Sequence, residues 1–283
     1  MKINSLKLYE CGYCTHPEKI VYSRGPWKQI GFPAIVGLLN HPKHGYILFD
    51  TGYANHFMEA TKSFPYSVYA KLTPVYFKEE QSIKNQLSKD GISTSDIKYI
   101  LISHFHGDHT AGLKDFPHAK ILTFEKAYND IKGKSKFKAL TKGCLLDTLP
   151  SDLEDRMVFI DQKPKQTLSS EYAPFNDGYD VFDDGSMFAV DVTGHAIGQF
   201  GIFVVFNSNK TVFLCSDAVW LSKTYQNLVF PSFITNFLTA DSDSYRLNIN
   251  KLHKLSKSSP HIEILPTHCN LTWDIARKGV IYE

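Results

Sequence analysis

Short apolar runs, separated by polar turn-forming residues, recur along the whole chain and predict a fold built from many strands. Residues 6–9 alternate between apolar and polar side chains, as expected of a half-buried strand. The runs at 32–39 and 46–49 flank a polar turn with proline and glycine, which predicts a β-hairpin. The remaining apolar runs predict strands at 99–102, 119–123, 157–160, 187–192, 200–206, 211–215 and 262–265.

Apolar residues at helical spacing are less frequent. They predict helices at 79–89, 124–131 and 243–257, and the start of another helix at Thr110. Strand and helix patterns occur in both halves of the chain, with no repeat and no linker between them. This organisation predicts a single domain of mixed α-helices and β-strands that spans residues 1–283.

Residues 56–77, which we call the aromatic segment, do not resemble a core helix. The segment has prolines at 65 and 74 and an unusual density of apolar side chains: Phe57, Met58, Phe64, Tyr66, Tyr69, Leu72, Val75, Tyr76 and Phe77. We interpret it as an insertion that forms an apolar wall over the functional site. A dimer contact, or simple packing onto the scaffold, explains the same composition equally well.

The composition excludes several classes of protein. Of the 283 residues, 43% are hydrophobic and 21% charged, and the net charge is +2, so no overall field favours nucleic acid or an anionic membrane. The longest apolar run, 200–206, is too short to span a bilayer, and residues 1–13 lack the apolar stretch of a signal peptide. Five cysteines, an odd number, argue against a disulfide framework. We therefore expect a cytoplasmic protein with no membrane partner.

Three further groups of residues have ordinary explanations. Cys11 and Cys14 form a C-x-x-C pair without a second pair to complete a zinc site, so we expect free thiols in a loop. A role for them beside the functional site stays open. His41 and His44 fall in the turn of the predicted hairpin and are expected to be solvated. The five lysines at 132–142 favour a solvated loop over a nucleic-acid-binding arm.

The strongest chemical signal is the sequence HFHGDH at 104–109, which closely follows a predicted strand. Strand alternation sends His104 and His106 to the same side, and the turn at Gly107 brings Asp108 and His109 to a second position. Imidazole and carboxylate ligands suit zinc and similar divalent ions. A structural zinc site would normally use cysteines at wider spacing, so the pattern predicts a catalytic site shared by two adjacent ions.

The H-x-H-x-D-H pattern after a strand resembles the metallo-β-lactamase superfamily. Four further elements occur in that family's order: a D-T-G that begins at Asp50, a Gly-His pair that ends at His195, Asp217 after a strand, and the late His268. The family form T-P-G-H-x-x-G-H is altered here, because the proline is missing and Gln199 replaces the last histidine. That histidine is not normally a ligand, so the expected site is retained.

The resemblance implies an α/β fold of the four-layer αββα type, with two mixed sheets face to face, helices outside and metals at one edge. Two divalent ions are implied, zinc by default, although manganese, iron or cobalt suit the same ligands. The first ion would be bound by His104, His106 and His195, the second by Asp108, His109 and His268, and both by Asp217. Asp50 would orient a ligand histidine, and Asp108 would also orient the nucleophile or relay a proton.

The overall layout is most similar to the N-acyl homoserine lactonase branch of the family. That likeness implies a hydroxide, shared by the ions, that attacks the carbonyl of a small lactone bearing an apolar group. The branch often has a tyrosine three residues after the bridging aspartate, where this chain has Trp220. Tyr225 is a second candidate for that contact, and Phe64, Tyr66 and Tyr69 are candidates for contacts with the apolar group.

Other functions are compatible with the same ligands. A thioester hydrolase of the glyoxalase II type would use a basic C-terminal cluster, for which the candidates are Lys251, Lys254, Lys257, Arg277 and Lys278. A phosphodiesterase would need a basic surface such as 132–142, and a non-catalytic acyl-ligand sensor would not need all seven ligands. His106 stands where redox-active relatives have a glutamate, which argues against an oxygen reductase. Nucleic acid is not an expected partner, whereas a homodimer is compatible with the aromatic segment.

Overall fold

The computed structural model describes all 283 residues and contains two β-sheets. Numbered in chain order, the strands are β1 (Ser5–Pro17), β2 (Gln29–His41), β3 (Gly45–Phe49), β4 (Val75–Tyr76), β5 (Ile97–Leu101), β6 (Lys120–Thr123), β7 (Met157–Phe159), β8 (Gln166–Thr167), β9 (Asp177–Asp180), β10 (Met187–Asp191), β11 (Phe200–Val205), β12 (Thr211–Ser216), β13 (Glu263–Pro266) and β14 (Ile281–Tyr282).

Most of the helices that connect these strands are short. The α-helices are α1 (Glu18–Val21), α2 (Asn55–Ala60), α3 (Tyr66–Leu72), α4 (Ile83–Lys89), α5 (Gly107–Thr110), α6 (Glu125–Asn129), α7 (Lys136–Leu140), α8 (Leu153–Arg156), α9 (Ser222–Gln226), α10 (Ser242–Ser258) and α11 (Asn270–Arg277). Short 3-10 helices occur at Glu79–Gln81, Thr94–Asp96, Leu113–Asp115, Leu146–Thr148, Ile160–Gln162, Ser170–Tyr172 and Phe233–Phe237. No helix combines the length and apolar content needed to cross a bilayer.

Both sheets mix parallel and antiparallel strands. The first has eight strands in the order β14-β1-β2-β3-β5-β6-β7, with β4 paired to β1. In it, β1, β2 and β3 are antiparallel neighbours, whereas β3, β5, β6 and β7 run parallel. The second has six strands in the order β13-β12-β11-β10-β9-β8, of which only β12 and β13 pair in parallel.

The two sheets face each other across a shared core. In β11, Phe200 and Val204 belong to the core cluster that also contains Leu38 and Ile100 of the first sheet. The intervening Phe203 belongs to a second cluster, which packs beneath α10. Alternation along β11 therefore places one face of the second sheet against the first sheet and the other face against a helix. Burial of each such side chain contributes about 1.5–3 kcal/mol.

The direction of the strands determines where the polar side chains collect. Because β3 and β5 run parallel, Asp50 after β3 lies beside the segment that follows β5. In the second sheet β12 and β13 are parallel, and Asp217 and His268 follow their carboxyl ends. The loop after β10 contains His195. Ends of parallel strands meet at one edge of a sheet, so motifs that are distant in sequence converge at one end of the sandwich.

Most of the predicted elements are present, with shifted ends. The hairpin is formed by β2 and β3, and the helix predicted at 243–257 is α10, which begins at Ser242 because the Asp241 side chain accepts hydrogen bonds from the N–H groups of Asp243 and Ser244. The helix expected to begin at Thr110 is instead α5, which begins at Gly107 and ends at Thr110.

The prediction of a loop at Cys11 and Cys14 is wrong. Strand β1 continues to Pro17, and both thiols are buried within it. A bulge between Glu10 and Tyr13 interrupts the pairing of β1 with β2 at this point. The turn-forming residues suggested a loop, but pairing with β2 on one side and β4 on the other maintains the strand.

His41 is also not solvated, contrary to the prediction, since it is only 1% exposed. Its Nδ1 accepts hydrogen bonds from the backbone N–H groups of Lys43 and His44, so its Nε2 bears the proton. That nitrogen lies 3.0 Å from Asp184 Oδ2 and 3.1 Å from Ser186 Oγ. The hydrogen bond with Ser186 therefore joins the β2–β3 turn to the loop before β10, and the proton occupies the nitrogen that a metal would need.

The lysine-rich stretch at 132–142 is partly helical rather than a loop, because α7 lies within it. Three of its lysines face carboxylates on neighbouring segments: Lys132 with Glu154, Lys136 with Asp147 and Lys142 with Asp130, at 3.7, 2.5 and 3.3 Å. The carboxylates of these three pairs offset much of the positive charge of the segment. The surface is thus less suited to an extended polyanion than its composition suggests.

Candidate metal centre

Histidine and aspartate side chains from four separate stretches of the chain converge at one edge of the sandwich. Their donor atoms form two groups, each with atoms within 4.8 Å of one another: His104, His106 and His195, and Asp108, His109 and His268. A third, overlapping group joins them: His104, His109 and Asp217. This is the division into two ion sites that the sequence resemblance implies.

Asp217 lies between the two groups. Its Oδ1 is 3.4 Å from His109 Nε2, and its Oδ2 is 3.3 Å from His195 Nε2 and 2.9 Å from His268 Nε2. Both carboxylate oxygens are buried without a hydrogen-bond partner, as are the Nε2 atoms of His104 and His109. Buried polar atoms of this kind are costly unless they are paired. A divalent cation in each group would supply the missing partners, so the donor set fits two ions.

Hydrogen bonds behind the imidazole rings determine which nitrogen faces the site. His109 Nδ1 lies 2.8 Å from Asp50 Oδ2, and His268 Nδ1 lies 2.7 Å from the carbonyl oxygen of Pro33. These oxygens only accept hydrogen bonds, so each Nδ1 bears a proton and each Nε2 is the nitrogen that faces the site. His106 has the opposite ring orientation: its Nδ1 faces the site and lies 3.0 Å from His195 Nε2.

Asp50 occupies the orienting position that the resemblance implies. Its side chain is buried, and besides His109 it accepts a 2.8 Å hydrogen bond from the backbone N–H of Ser103. Its φ of 62° lies in the left-handed region that residues other than glycine rarely adopt. Gly52, two residues later in the same turn, also has a positive φ, and a Cβ there would lie 2.2 Å from Cys11 Cβ. The D-T-G turn therefore packs directly against β1.

Burial and neighbouring charges set the protonation of the site. Burial, with neighbouring histidines, lowers the pKa values of His104 and His195 well below their usual range. Burial also lowers the pKa of His106 to about 4. For Asp217, burial raises the pKa, but His268 and His109 outweigh it and hold that pKa well below its usual value. Burial lowers the pKa values of His109 and His268 too, but Asp50 and Asp217, respectively, outweigh it and hold both pKa values above the usual value. Because metals bind neutral imidazoles, a metal ion at these two histidines would displace protons.

Gly143 contributes to the site and was missed by the sequence analysis. Its φ is +71°, and a Cβ at this position would lie 2.5 Å from Cδ2 of His106. Its carbonyl oxygen accepts a 3.1 Å hydrogen bond from the N–H of Gly107. The Gly143 backbone thus packs against the His106 ring, and nothing in the sequence around Gly143 signals this contact.

Gln199 holds the backbone beside Asp217. With its amide oxygen turned towards β12, the side chain accepts hydrogen bonds from the N–H groups of Ala218 at 2.9 Å and Asp217 at 3.2 Å. The side chain is fully buried. The residue that replaces a family histidine therefore has a structural role at the bridging aspartate.

The aromatic segment reaches the turn between His106 and Asp108 at Phe57, whose ring lies 3.1 Å from where a Cβ of Gly107 would be. Tyr66 is buried, and its hydroxyl accepts a hydrogen bond from the N–H of Leu146, which fixes α3 to the scaffold. Tyr69 is half-buried beside Phe57, and burial and then the nearby Asp108 raise its pKa well above the usual value. Phe64, in contrast, is 75% exposed.

Trp220 and Tyr225, the two candidates for the contact with the substrate carbonyl, have different surroundings. The Trp220 ring lies 5.6 Å from the ring of His195 and 5.3 Å from that of His268, and its Nε1 is buried without a partner. Tyr225 is instead buried in the core cluster beneath α10. The structure therefore brings Trp220, but not Tyr225, together with the ligands.

Residues 31–268 match the family model described as the metallo-beta-lactamase superfamily, and the chain belongs to this superfamily. The predicted family, its αββα fold and the class of metal-dependent hydrolase are thereby confirmed. Among curated relatives, the N-acyl homoserine lactonase AttM of Azorhizobium caulinodans is 24% identical over 93% of this chain and 92% of its own length. AttM of Agrobacterium fabrum is 25% identical, with 77% of this chain and 76% of the relative covered.

Solved structures show the same fold at low sequence identity. An N-acyl homoserine lactone hydrolase with N-hexanoyl-L-homoserine bound at its catalytic metal centre has a TM-score of 0.70 and 21% identity, covering 97% of this chain and 96% of that one. AidC, a dizinc quorum-quenching lactonase, has a TM-score of 0.62 and 17% identity, covering 95% of this chain and 90% of that one.

Proposed function

We propose that this protein is a dinuclear metal-dependent lactonase that opens the ring of an N-acyl homoserine lactone. One observation carries the proposal: Asp217 lies between the two donor groups, and its buried oxygens have no hydrogen-bond partner. Similarity to N-acyl homoserine lactonases over nearly the whole chain supports the choice of substrate. Zinc is the expected metal because the donors are imidazole and carboxylate groups.

His104, His106 and His195 would hold the first ion and Asp108, His109 and His268 the second, with Asp217 between them. When bound, two such ions acidify a shared water molecule and polarise the carbonyl of the substrate. Asp108 Oδ2 lies 3.4 Å from His268 Nε2 and 3.7 Å from His109 Nε2. Asp108 is 7% exposed, more than His104 or His109 at 0%. We assign it a second role, in which its carboxylate orients the attacking water and passes the proton to the leaving alkoxide.

Trp220 is our candidate for the contact with the substrate carbonyl. Its ring lies beside one ligand of each ion, and its Nε1 is a buried donor without an acceptor. An indole N–H donates one hydrogen bond, as a phenol does, but it does not act as an acid or a base near neutral pH. We therefore assign Trp220 a role in binding and polarisation rather than in proton transfer.

The aromatic segment is proposed to contact the acyl chain, with Phe64 and Tyr69 as the candidates. Tyr66 acts indirectly, because its hydroxyl and its burial anchor α3. Tyr225 is disfavoured, since it packs beneath α10. A homodimer through the same segment stays a prediction. A cytoplasmic location also stays a prediction, supported by five buried cysteines that form no disulfide.

The alternative functions receive less support from the surface. Of the basic cluster expected of a thioester hydrolase, Lys251 lies over the Phe175 ring and Arg277 pairs with Glu10. The basic surface expected of a phosphodiesterase is largely paired with carboxylates. A non-catalytic sensor would have no need to retain all seven donors. We rank the thioester hydrolase second, because a thioester would use the same metal site.

The experiment is hydrolysis of N-decanoyl-homoserine lactone by zinc-loaded protein, followed by acid release with and without a chelator. We expect release that stops when the chelator is added and returns when zinc is restored. The matched substrates are an acyl thioester, followed by release of free thiol, and a phosphodiester. No acid release from protein shown to hold two ions would contradict the lactonase, and thiol release under the same conditions would identify a thioesterase.

A further inference from the structure

A buried hydrogen-bond chain runs beneath the metal ligands and begins at Ser216, the last residue of β12. Ser216 Oγ donates to Ser103 Oγ at 2.8 Å, and Ser103 Oγ donates to Asp50 Oδ2 at 2.9 Å. All three side chains are 0–1% exposed. Ser216 belongs to the second sheet and Ser103 follows β5 of the first, so the bond between them joins the two sheets directly under the site.

Proton counting gives this chain a direction. A carboxylate only accepts hydrogen bonds, so the single hydrogen of Ser103 goes to Asp50. Ser103 Oγ must then accept from its other two neighbours, Ser216 Oγ and His104 Nδ1, which lies 3.1 Å away. His104 therefore bears its proton on Nδ1, and its buried, unpartnered Nε2 presents a lone pair to the first ion site.

The same chain reaches the second ion site. Asp50 Oδ2, which accepts from Ser103 Oγ, also lies 2.8 Å from His109 Nδ1. The Ser103 hydroxyl thus orients His104 of the first ion site, and the Asp50 carboxylate orients His109 of the second. Ser216 completes the arrangement. One lone pair of the Ser103 oxygen accepts from His104 and the other from Ser216, so the Ser103 hydrogen can only be donated to Asp50.

Backbone conformation at both ends of the chain supports a specific role. Asp50 has φ of 62° and Ser216 has φ of 51°, values that residues other than glycine rarely adopt. Glycine would relieve this strain at either position, but it would also remove the hydrogen-bonding group. The unusual conformation at Ser216 also precedes Asp217 directly, so one residue both starts the hydrogen-bond chain and aims the bridging carboxylate.

We propose that Ser216 is a positioning residue that, through Ser103, fixes the orientation of His104 and couples the two ion sites. The inference rests on the proposed dinuclear site. It predicts that loss of the Ser216 hydroxyl weakens metal binding by about tenfold, and loss of the Ser103 hydroxyl by up to about a hundredfold, the range for residues that orient metal ligands.

The test is zinc affinity and stoichiometry of the full-length protein, measured by competition with a chromophoric chelator, without reference to turnover. Ser216→Ala removes the hydroxyl and keeps the strain, whereas Ser216→Gly removes the hydroxyl and relieves the strain. Both should bind zinc about tenfold more weakly. Ser186→Ala is the matched control, because Ser186 is an equally buried serine that contacts a histidine outside the site, and it should bind zinc as the wild type does.

Ser103→Ala with and without Ser216→Ala tests the order of the chain. If Ser216 acts through Ser103, the double variant binds zinc no more weakly than Ser103→Ala alone. Wild-type affinity in both Ser216 variants, or losses that add in the double variant, would overturn the inference. The proposed function would fail separately, if the wild-type protein itself bound fewer than two ions.

Discussion

The metal-binding edge and the aromatic segment, which we propose to be two sides of one site, are built differently. At the metal-binding edge, His109 and His268 each have their outer nitrogen held by a buried oxygen. In the aromatic segment the side chains range from buried Tyr66 to Phe64 at 75% exposure, and Tyr66 alone has a hydrogen bond to the scaffold through its side-chain hydroxyl. From this comparison we infer that the proposed chemistry depends on a rigid arrangement of side chains, and we propose that substrate choice depends on the more exposed aromatic segment.

The largest effect is expected from breaking the metal-binding edge at a ligand. His106→Ala removes one of three donors from the first group, so turnover should fall to background and metal content should fall from two ions towards one. Lactone hydrolysis and metal analysis of the same preparation check both outcomes. Full activity with both ions still bound would show that His106 is not a ligand.

Asp217→Asn should weaken both ions, because the amide keeps the shape of the side chain but removes the charge that lies between the groups. Its carboxylate oxygens face histidines of both groups, so neither ion should be spared. Zinc titration followed by calorimetry measures the two affinities. Loss of only one ion, with the other bound as in the wild type, would contradict a bridging role.

A smaller effect is expected from Asp50→Asn, which leaves every ligand in place. The amide cannot accept as strongly from His109 Nδ1 and Ser103, and metal affinity should fall by about 10–100-fold. Asp180→Asn is the control, because Asp180 is a buried aspartate that accepts two backbone N–H bonds away from the site. Equal zinc affinities for the two variants would argue that Asp50 does not orient His109.

The smallest effect is expected in the aromatic segment. Phe64→Ala should raise KM for a decanoyl lactone by about 5–10-fold, roughly 1–1.4 kcal/mol, and leave a butanoyl lactone almost unchanged. Phe137→Ala is the control, since Phe137 is similarly exposed, at 61%, on another segment. The ratio of kcat/KM for the two lactones is the measurement. An equal change for both chain lengths would remove Phe64 from the acyl contact.

The contrast between the two regions also explains what the sequence could predict. The candidate metal ligands could be predicted because each follows a strand end, and because four of them lie within six residues at 104–109. The strands themselves follow from short apolar runs, since β-strands bury alternate or consecutive apolar side chains. Local sequence patterns therefore predict both the strands and the candidate ligands.

Apart from Asp50, the residues that support the candidate ligands could not be predicted, because their roles depend on contacts between distant parts of the chain. Ser103 and Ser216 are separated by 113 positions, and Gly143 meets His106 only after folding. Similarly, the burial of His41 depends on Asp184, which lies in the second half of the chain. No local sequence pattern distinguishes a serine, glycine or histidine with one of these roles from the same residue in an ordinary turn.

The central claim is that two ions act together at one site. Metal-free protein titrated with zinc, with lactone hydrolysis read at each addition, tests it most directly. We predict that activity rises until two equivalents are bound and then stays constant. Full activity at one equivalent, or activity in the metal-free protein, would contradict a dinuclear mechanism.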